Sequence, residues 1–354
     1  MNVLFISNIV TPYQLDFLRT LDSKGGVRAF GYFAELSKSS RAWNLDLPRN
    51  VFVGTGNSVM AWCKIVQLVR AEKITHIVVG GYSLVAGFVG LPLAVIKKIK
   101  LYYWLERPLY SRSGMRRILK ELHMKMVFSC CNGIFAIGSG AAVYYRSFGR
   151  SVFNLPYSFD LTKYLGIDRK SESPGKRVRF LFSGQYIDRK NVKNLVLAFK
   201  EVSDLEASLT LIGGGALEQE IDKLIGGCVH IEDAGFIQPE ALPEVFSNHD
   251  VFILPSLHDG WALVVPEAMA AGMPVISTAS VGAAVEYIEH KRNGYLCGFD
   301  VDSISAAIKY YIAHEHAIAD AGLYNKKLID SSLSSSVNAA NYFLLCLGSD
   351  SERV

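Results

Sequence analysis

The chain has 354 residues, half of them hydrophobic and a fifth charged, which suits two globular domains and excludes a disordered protein. Its net charge of +4 hides a split: residues 1–165 carry 21 Lys and Arg against 8 Asp and Glu, the remainder 16 against 25. Halves of opposite sign imply two domains with different partners, and with no nucleic-acid module in the basic half, nucleic acid is not expected.

In chain order, NVLFIS, VRAFGYF, ITHIVVGG, KLYYWL, GIFAIG and SVFNLP read as strands of the first half. VRFLFSG, SLTLIGG, VHIED, DVFILP and PVIST do so in the second. Near-continuous apolar strands separated by helical patterns predict α/β domains with doubly wound parallel sheets. MNVLFIS has no basic region before its apolar run, so it reads as a first strand and not a signal peptide. The apolar run at 84–96 contains Gly and Pro and suits a buried helix, so no membrane span is expected. The polar stretch 160–177 is the best linker, giving domains at 1–165 and 166–335. SSLSSS at 331–336 breaks the C-terminal helices, and the last helix, 336–354, is expected to return to the first domain. Six cysteines without CxxC spacing suit reduced thiols and a cytoplasmic location.

RSGMRRILKELHMKMVF, 112–128, sets Met115, Ile118, Leu119, Leu122 and Met126 at helical spacing among Arg112, Arg116, Arg117, Lys120 and Lys125. Such a helix can lie on an anionic bilayer or turn its stripe into an ordinary core.

Three motifs carry chemistry in the second half. LFSGQYIDRKN, 181–191, runs from a strand through Gly184 and Gln185 to Arg189, Lys190 and a helix start near Asn191, which suits an anion; a solvated basic turn is the alternative. LIGGGALEQEI, 211–221, has Gly213 and Gly215 but Glu218 where a dinucleotide fingerprint needs a third Gly, so hydride transfer is disfavoured. HDGWALVVPEAMAAGMPVI, 258–276, places Asp259 and Glu267 with seven residues between them, around a loop and a helix start. Carboxylates accept from sugar and ribose hydroxyls, while free amides between them hold phosphate oxygens. FDVDS, 299–303, could offer Asp-x-Asp to a metal, but it precedes an amphipathic helix and reads as a cap by Asp302 or Ser303. No histidine cluster has ligand spacing, and no metal is expected.

These motifs together resemble the retaining, metal-independent glycosyltransferases of the group-1 family (family 4), whose signature has the form EGFGLVxxEAMAxGxPVI. The resemblance runs through most of 178–300, extends to LPYSFDLTKY, and is weaker in NIVTPYQLDFLRTL and VVGGYS. It implies a GT-B fold of two Rossmann-like domains with the active site in the cleft between them. It implies a UDP- or GDP-linked donor sugar, no cofactor, and a saccharide or lipid-linked acceptor in surface-polysaccharide assembly such as O-antigen, lipopolysaccharide or capsule. Carried over, Glu267 binds the ribose and Asp259 the donor sugar's hydroxyls. The backbone of Gly260, Trp261, Ala262, Leu263 and Val264 follows the diphosphate, Lys190 pairs with it, and Gly235, Phe236 and Ile237 cradle the base.

Three departures stand out. Gln185 replaces a common Arg, Asp259 replaces Glu, and Glu106 stands near where many members place His; it either serves the reaction or pairs with Arg107 or Arg112. A nucleotide-sugar epimerase and a non-catalytic scaffold of the same architecture are the competing readings.

Overall fold

The computed structural model describes residues 1–36, 45–54, 58–81, 99–108, 115–168, 177–202 and 206–349. The apolar run at 84–96 and Arg112 lie outside them, as do the side chains of Met115, Arg116, Arg117, Leu119 and Lys120. The chain divides into two units, Met1–Asp160 with Ser336–Val354, and Leu161–Ser335. The division falls after Asp160 and not after residue 165. The short helix α5 (Thr162–Leu165) belongs to the second unit because Tyr164 packs edge-on against Phe246, with ring centroids 5.6 Å apart.

The first unit holds a seven-stranded parallel sheet in the order β3-β2-β1-β4-β5-β6-β7. Its strands are β1 (Asn2–Ile9), β2 (Arg28–Glu35), β3 (Val51–Val53), β4 (His76–Gly80), β5 (Lys100–Leu105), β6 (Gly133–Ala136) and β7 (Ser151–Asn154). Strand side chains alternate between faces, so each apolar run serves two cores. Leu4, Ile6, Leu101, Tyr103, Ile134 and Ala136 join one core with Ile65 of α2 (Ser58–Ala71), Phe128 of α3 (Met115–Ser129) and Tyr145 of α4 (Ser139–Arg146). Phe5, Trp104 and Phe135 point the other way, where Phe17 of α1 (Pro12–Asp22) and Phe343 of α13 (Ser336–Ser349) meet them. The Phe343 ring lies 5.6 Å from Phe5, 5.8 Å from Phe17 and 4.9 Å from Phe135.

The second unit holds a six-stranded sheet in the order β10-β9-β8-β11-β12-β13. Its strands are β8 (Val178–Ser183), β9 (Ala207–Ile212), β10 (Ile231–Asp233), β11 (Val251–Leu254), β12 (Val275–Thr278) and β13 (Gly294–Cys297), all parallel. After β8 the chain winds outward to β10, then returns beside β8 as β11 and winds the other way. The topological switch point is therefore between β8 and β11, and ligands bind open α/β sheets outside the carboxyl ends of the strands at such a point. The helices include α6 (Val192–Lys200), which buries Val192, Leu195, Val196 and Phe199 at helical spacing. They also include α9 (Val264–Ala270), α10 (Gly282–Tyr287), α11 (Val301–Ala313) and α12 (His316–Asp330).

Two edge strands, β3 and β13, were not among the expected ones. Asp300, not Asp302 or Ser303, caps α11: its carboxylate accepts from the Ser303 N–H at 2.8 Å. The serine-rich break does separate α12 from α13.

Candidate active site of the second unit

Two loops leave the switch point: 184–190 after β8 and 255–263 after β11. They are sewn together by the backbone, since the Leu257 N–H donates to the Arg189 carbonyl at 2.8 Å. The Arg189 guanidinium donates back to the His258 carbonyl at 2.8 Å and to Asp259 Oδ2 at 3.0 Å. Lys190 Nζ reaches the same Oδ2 at 2.5 Å. The structure thus brings together Arg189, Lys190 and Asp259, which the sequence separates by about 70 residues. Burial alone would raise the Asp259 carboxyl, but Lys190, and then Arg189, more than offset it and hold the group below the ordinary carboxylate value. The Gln185 side chain is partly exposed and takes no hydrogen bond among the described residues.

Glycines set how closely the loops approach. A Cβ on Gly213, at φ +148°, would sit 1.9 Å from the Gly184 carbonyl oxygen, so the turn after β9 lies directly against the loop 184–190. A Cβ on Gly282 would sit 2.3 Å from the Gly260 carbonyl oxygen. That contact seats the 259–261 segment on the start of α10, where the Gly282 N–H donates to the Asp259 carbonyl and the Ala283 N–H to that of Trp261. The Trp261 side chain belongs to the core: it is buried and meets Tyr287 edge-on at 5.7 Å. Among the described residues the backbone N–H groups of Ala262, Leu263 and Val264 find no backbone acceptor, so they remain open to a ligand.

Ala262 is the strained member of this loop, with φ +67°, where the resembling signature has Gly. Ala262→Gly relieves about 1–2 kcal/mol of left-handed strain against about 0.4–1 kcal/mol of added unfolded-state entropy, so the ligand-free protein is expected to gain up to about 1 kcal/mol of stability. A thermal midpoint lower than the parent's would refute the strain.

Glu267 lies on α9, half-buried, with no hydrogen bond or ion pair among the described residues. Burial pushes its carboxyl up to about 7. Tyr164 sits close enough that, after burial, the charges of Glu267 and Glu240 further raise its hydroxyl.

The base-side turn has a brace that the sequence reading missed. Asp233 Oδ1 accepts from the Tyr186 hydroxyl at 2.7 Å and from the Gly235 N–H at 2.9 Å. Tyr186 is fully buried within the loop 184–190, so the brace ties that loop to Gly235, Phe236 and Ile237. Phe236 is 55% exposed and offers an open ring face. The place of Tyr186 in the loop just after β8 and the Asp two residues before Gly235 were the available signals.

Glu106 belongs to the first unit, just past β5. Its backbone carbonyl accepts from the Tyr145 hydroxyl at 2.9 Å, and its carboxylate is hydrogen-bonded to Tyr157, which also meets Tyr13. On α3, Met124 and Phe128 face the core, whereas Ile118, Leu122 and Met126 are 59%, 57% and 64% exposed. Lys125 is exposed beside them. Among the described residues no three His, Cys, Asp or Glu gather as metal ligands, and no helix is long and apolar enough to cross a membrane.

Residues 166–328 match the family described as glycosyl transferases group 1. The chain is 37% identical over 111 residues to the N-acetyl-alpha-D-glucosaminyl L-malate synthase of Bacillus anthracis, covering 30% of this chain and 29% of that enzyme. It is 25% identical over 252 residues to the GDP-mannose-dependent alpha-(1-6)-phosphatidylinositol monomannoside mannosyltransferase of Mycolicibacterium smegmatis, covering 61% of this chain and 66% of that one. The matches thus span from under a third to about two thirds of these relatives. The Anabaena protein HepE, solved with UDP and glucose, superposes with a TM-score of 0.74 at 16% identity, covering 99% of this chain and 100% of HepE. The fold is GT-B, and the match to the group-1 glycosyl transferases lies within the second unit.

Proposed function

We propose that this protein transfers a sugar, with retention, from a nucleoside diphosphate sugar to a saccharide or lipid-linked acceptor, as in surface-polysaccharide assembly. The observation that carries the reading is the gathering of Lys190 and Arg189 at the switch point of the second sheet, with Asp259 against them. Open amides at 262–264 and the unpartnered Glu267 follow on the same segment. In this reading Glu267 accepts from the ribose, the two cations and the amides take the diphosphate, and Asp259 meets the donor sugar. Phe236 lies along the base. Because the leaving diphosphate gains charge as the acceptor hydroxyl attacks, fixed cations at that point lower the barrier without a metal ion. A GDP-linked donor for the M. smegmatis relative and UDP bound to HepE support a nucleotide donor. Glu106, held by Tyr157, is the acceptor-side candidate in the first unit.

A panel of UDP- and GDP-linked sugars tests the reading. One of them should raise the thermal midpoint, and its sugar should move to an acceptor with EDTA present. Conversion of the donor sugar with no acceptor would reassign the protein as an epimerase. Failure of every nucleoside diphosphate to bind would leave a scaffold.

The proposal extends to a cytoplasmic location and an anionic membrane surface as docking partner. It is supported by the exposed Ile118, Leu122 and Met126, spaced one turn apart beside Lys125, and by the positive charge of residues 1–165. Replacing these three apolar residues with Ser is expected to release the protein from vesicles containing phosphatidylserine, with nucleoside diphosphate affinity unchanged. Sedimentation equal to the parent's would remove the membrane from the proposal.

A further inference from the structure

The anion site of the second unit already holds an anion of its own. A single carboxylate oxygen, Asp259 Oδ2, receives both Lys190 Nζ at 2.5 Å and Arg189 Nη1 at 3.0 Å. The Lys190 side chain is only 10% exposed and that of Asp259 only 13%. An ammonium so enclosed requires a counter-charge, since a buried charge left unpaired is strongly destabilising. Asp259 is also fixed from behind. Its N–H donates to the Ser280 carbonyl at 3.1 Å, and its own carbonyl accepts from the Gly282 N–H at 3.0 Å. The backbone that carries the carboxylate is therefore held in place, whereas the Lys190 ammonium sits at the end of a flexible four-carbon stem.

We propose that Asp259 is the resident counter-ion of the diphosphate site, and that a nucleoside diphosphate loads by sharing or taking Lys190 and Arg189 from it. This rests on the donor-site reading above and adds a role beyond sugar contact. Before loading, two cations and one carboxylate leave the cluster with one net positive charge. After loading, the carboxylate and the diphosphate face each other across the same two cations, and their repulsion weakens binding. The donor sugar offsets that repulsion, because Asp259 Oδ1 has no partner among the described residues and can accept from a sugar hydroxyl. The product cannot. A nucleoside diphosphate released by transfer has lost the sugar and gained a negative charge, so it meets the repulsion alone. Asp259 thereby separates donor from product and favours product departure, a step that limits turnover in many enzymes. Asp in place of the resembling family's Glu keeps the carboxylate about 1.5 Å, one carbon–carbon bond, nearer its anchored backbone.

The experiment is calorimetric titration of inorganic pyrophosphate and of UDP and GDP into the parent and Asp259→Asn. Removing a like charge a few Å from the ligand should tighten pyrophosphate and the cognate nucleoside diphosphate roughly tenfold. The thermal midpoint of the ligand-free variant should fall at the same time, because Lys190 loses its partner. A merely structural role for Asp259 would weaken both properties together, and a role confined to sugar contact would leave the affinities unchanged. Either result overturns the inference. Should Asp259→Asn fail to fold, the comparison moves to a Lys190→Gln background, where no buried ammonium remains. Adding Asp259→Asn there should recover pyrophosphate affinity roughly tenfold, and no recovery overturns the proposal. A parent that binds neither pyrophosphate nor any nucleoside diphosphate refutes the donor-site reading itself. A parent that binds them, with no tightening in the variant, refutes the counter-ion alone.

Discussion

Lys190→Ala is expected to slow sugar transfer by roughly 100- to 1,000-fold, the scale of losing one preorganised donor to developing charge. Ground-state affinity for the donor should fall far less. In the free protein Lys190 is already bound to Asp259, so loading exchanges one anionic partner for another and the net gain is small. In the transition state the diphosphate carries more charge, and the exchange becomes strongly favourable. The expected pattern is a large loss in kcat with a modest change in donor Kd, read from single-turnover kinetics and calorimetry on the same preparation. Equal losses in both would place Lys190 in uniform binding and remove it from stabilisation of the leaving group.

Glu267→Ala should weaken nucleoside diphosphate binding by about 1.5–3 kcal/mol, the range for hydrogen bonds to a charged group. The parent should also show a pH dependence that the variant lacks. Burial raises the Glu267 carboxyl from 4.5 to about 7, and in the proposed donor site ribose hydroxyls would donate to its ionised form. Binding therefore expels a proton below about pH 7, and affinity should climb from about pH 5 to about pH 7 and then level off. The stability of the ligand-free protein runs the opposite way. A group whose folded pKa lies above its unfolded one contributes stability that is full below about pH 4.5 and is lost as pH rises through about 7. Glu267→Gln should accordingly melt higher than the parent at pH 8 while binding nucleotide less well. A flat affinity profile in the parent would separate Glu267 from the ribose.

The legible parts of the fold were those with strong local signals. β8 and β11, short apolar runs buried on both faces, announce themselves, as does the switch from strand to helical period at α6. β3 and β13 were missed because VFV and GYLC have three or four residues at the sheet edges, where little burial demands an apolar run. In the site, Asp259, Glu267 and Lys190 could be singled out from spacing and loop position. Their electrostatic relation could not, because Lys190 and Asp259 meet only through the pairing of β8 with β11. The same holds for Tyr186 and Asp233, joined across the carboxyl ends of β8, β9 and β10. Ala262 is a further departure from the signature that the sequence reading passed over, and the backbone angle shows that its methyl group sits in a left-handed conformation.

The seat of Phe343 has a consequence for biosynthesis. The first unit is discontinuous in sequence, since its aromatic face is closed by a helix that begins at Ser336, after every residue of the second unit. A chain leaving the ribosome at about 5–20 residues per second exposes Phe5, Phe17 and Phe135 for many seconds before α13 emerges to cover them. The later-made, contiguous unit can complete its core first, while the earlier one waits with an open apolar face. That interval is when a chaperone would bind this protein, and a stop codon shortly before position 336 would make the exposure permanent.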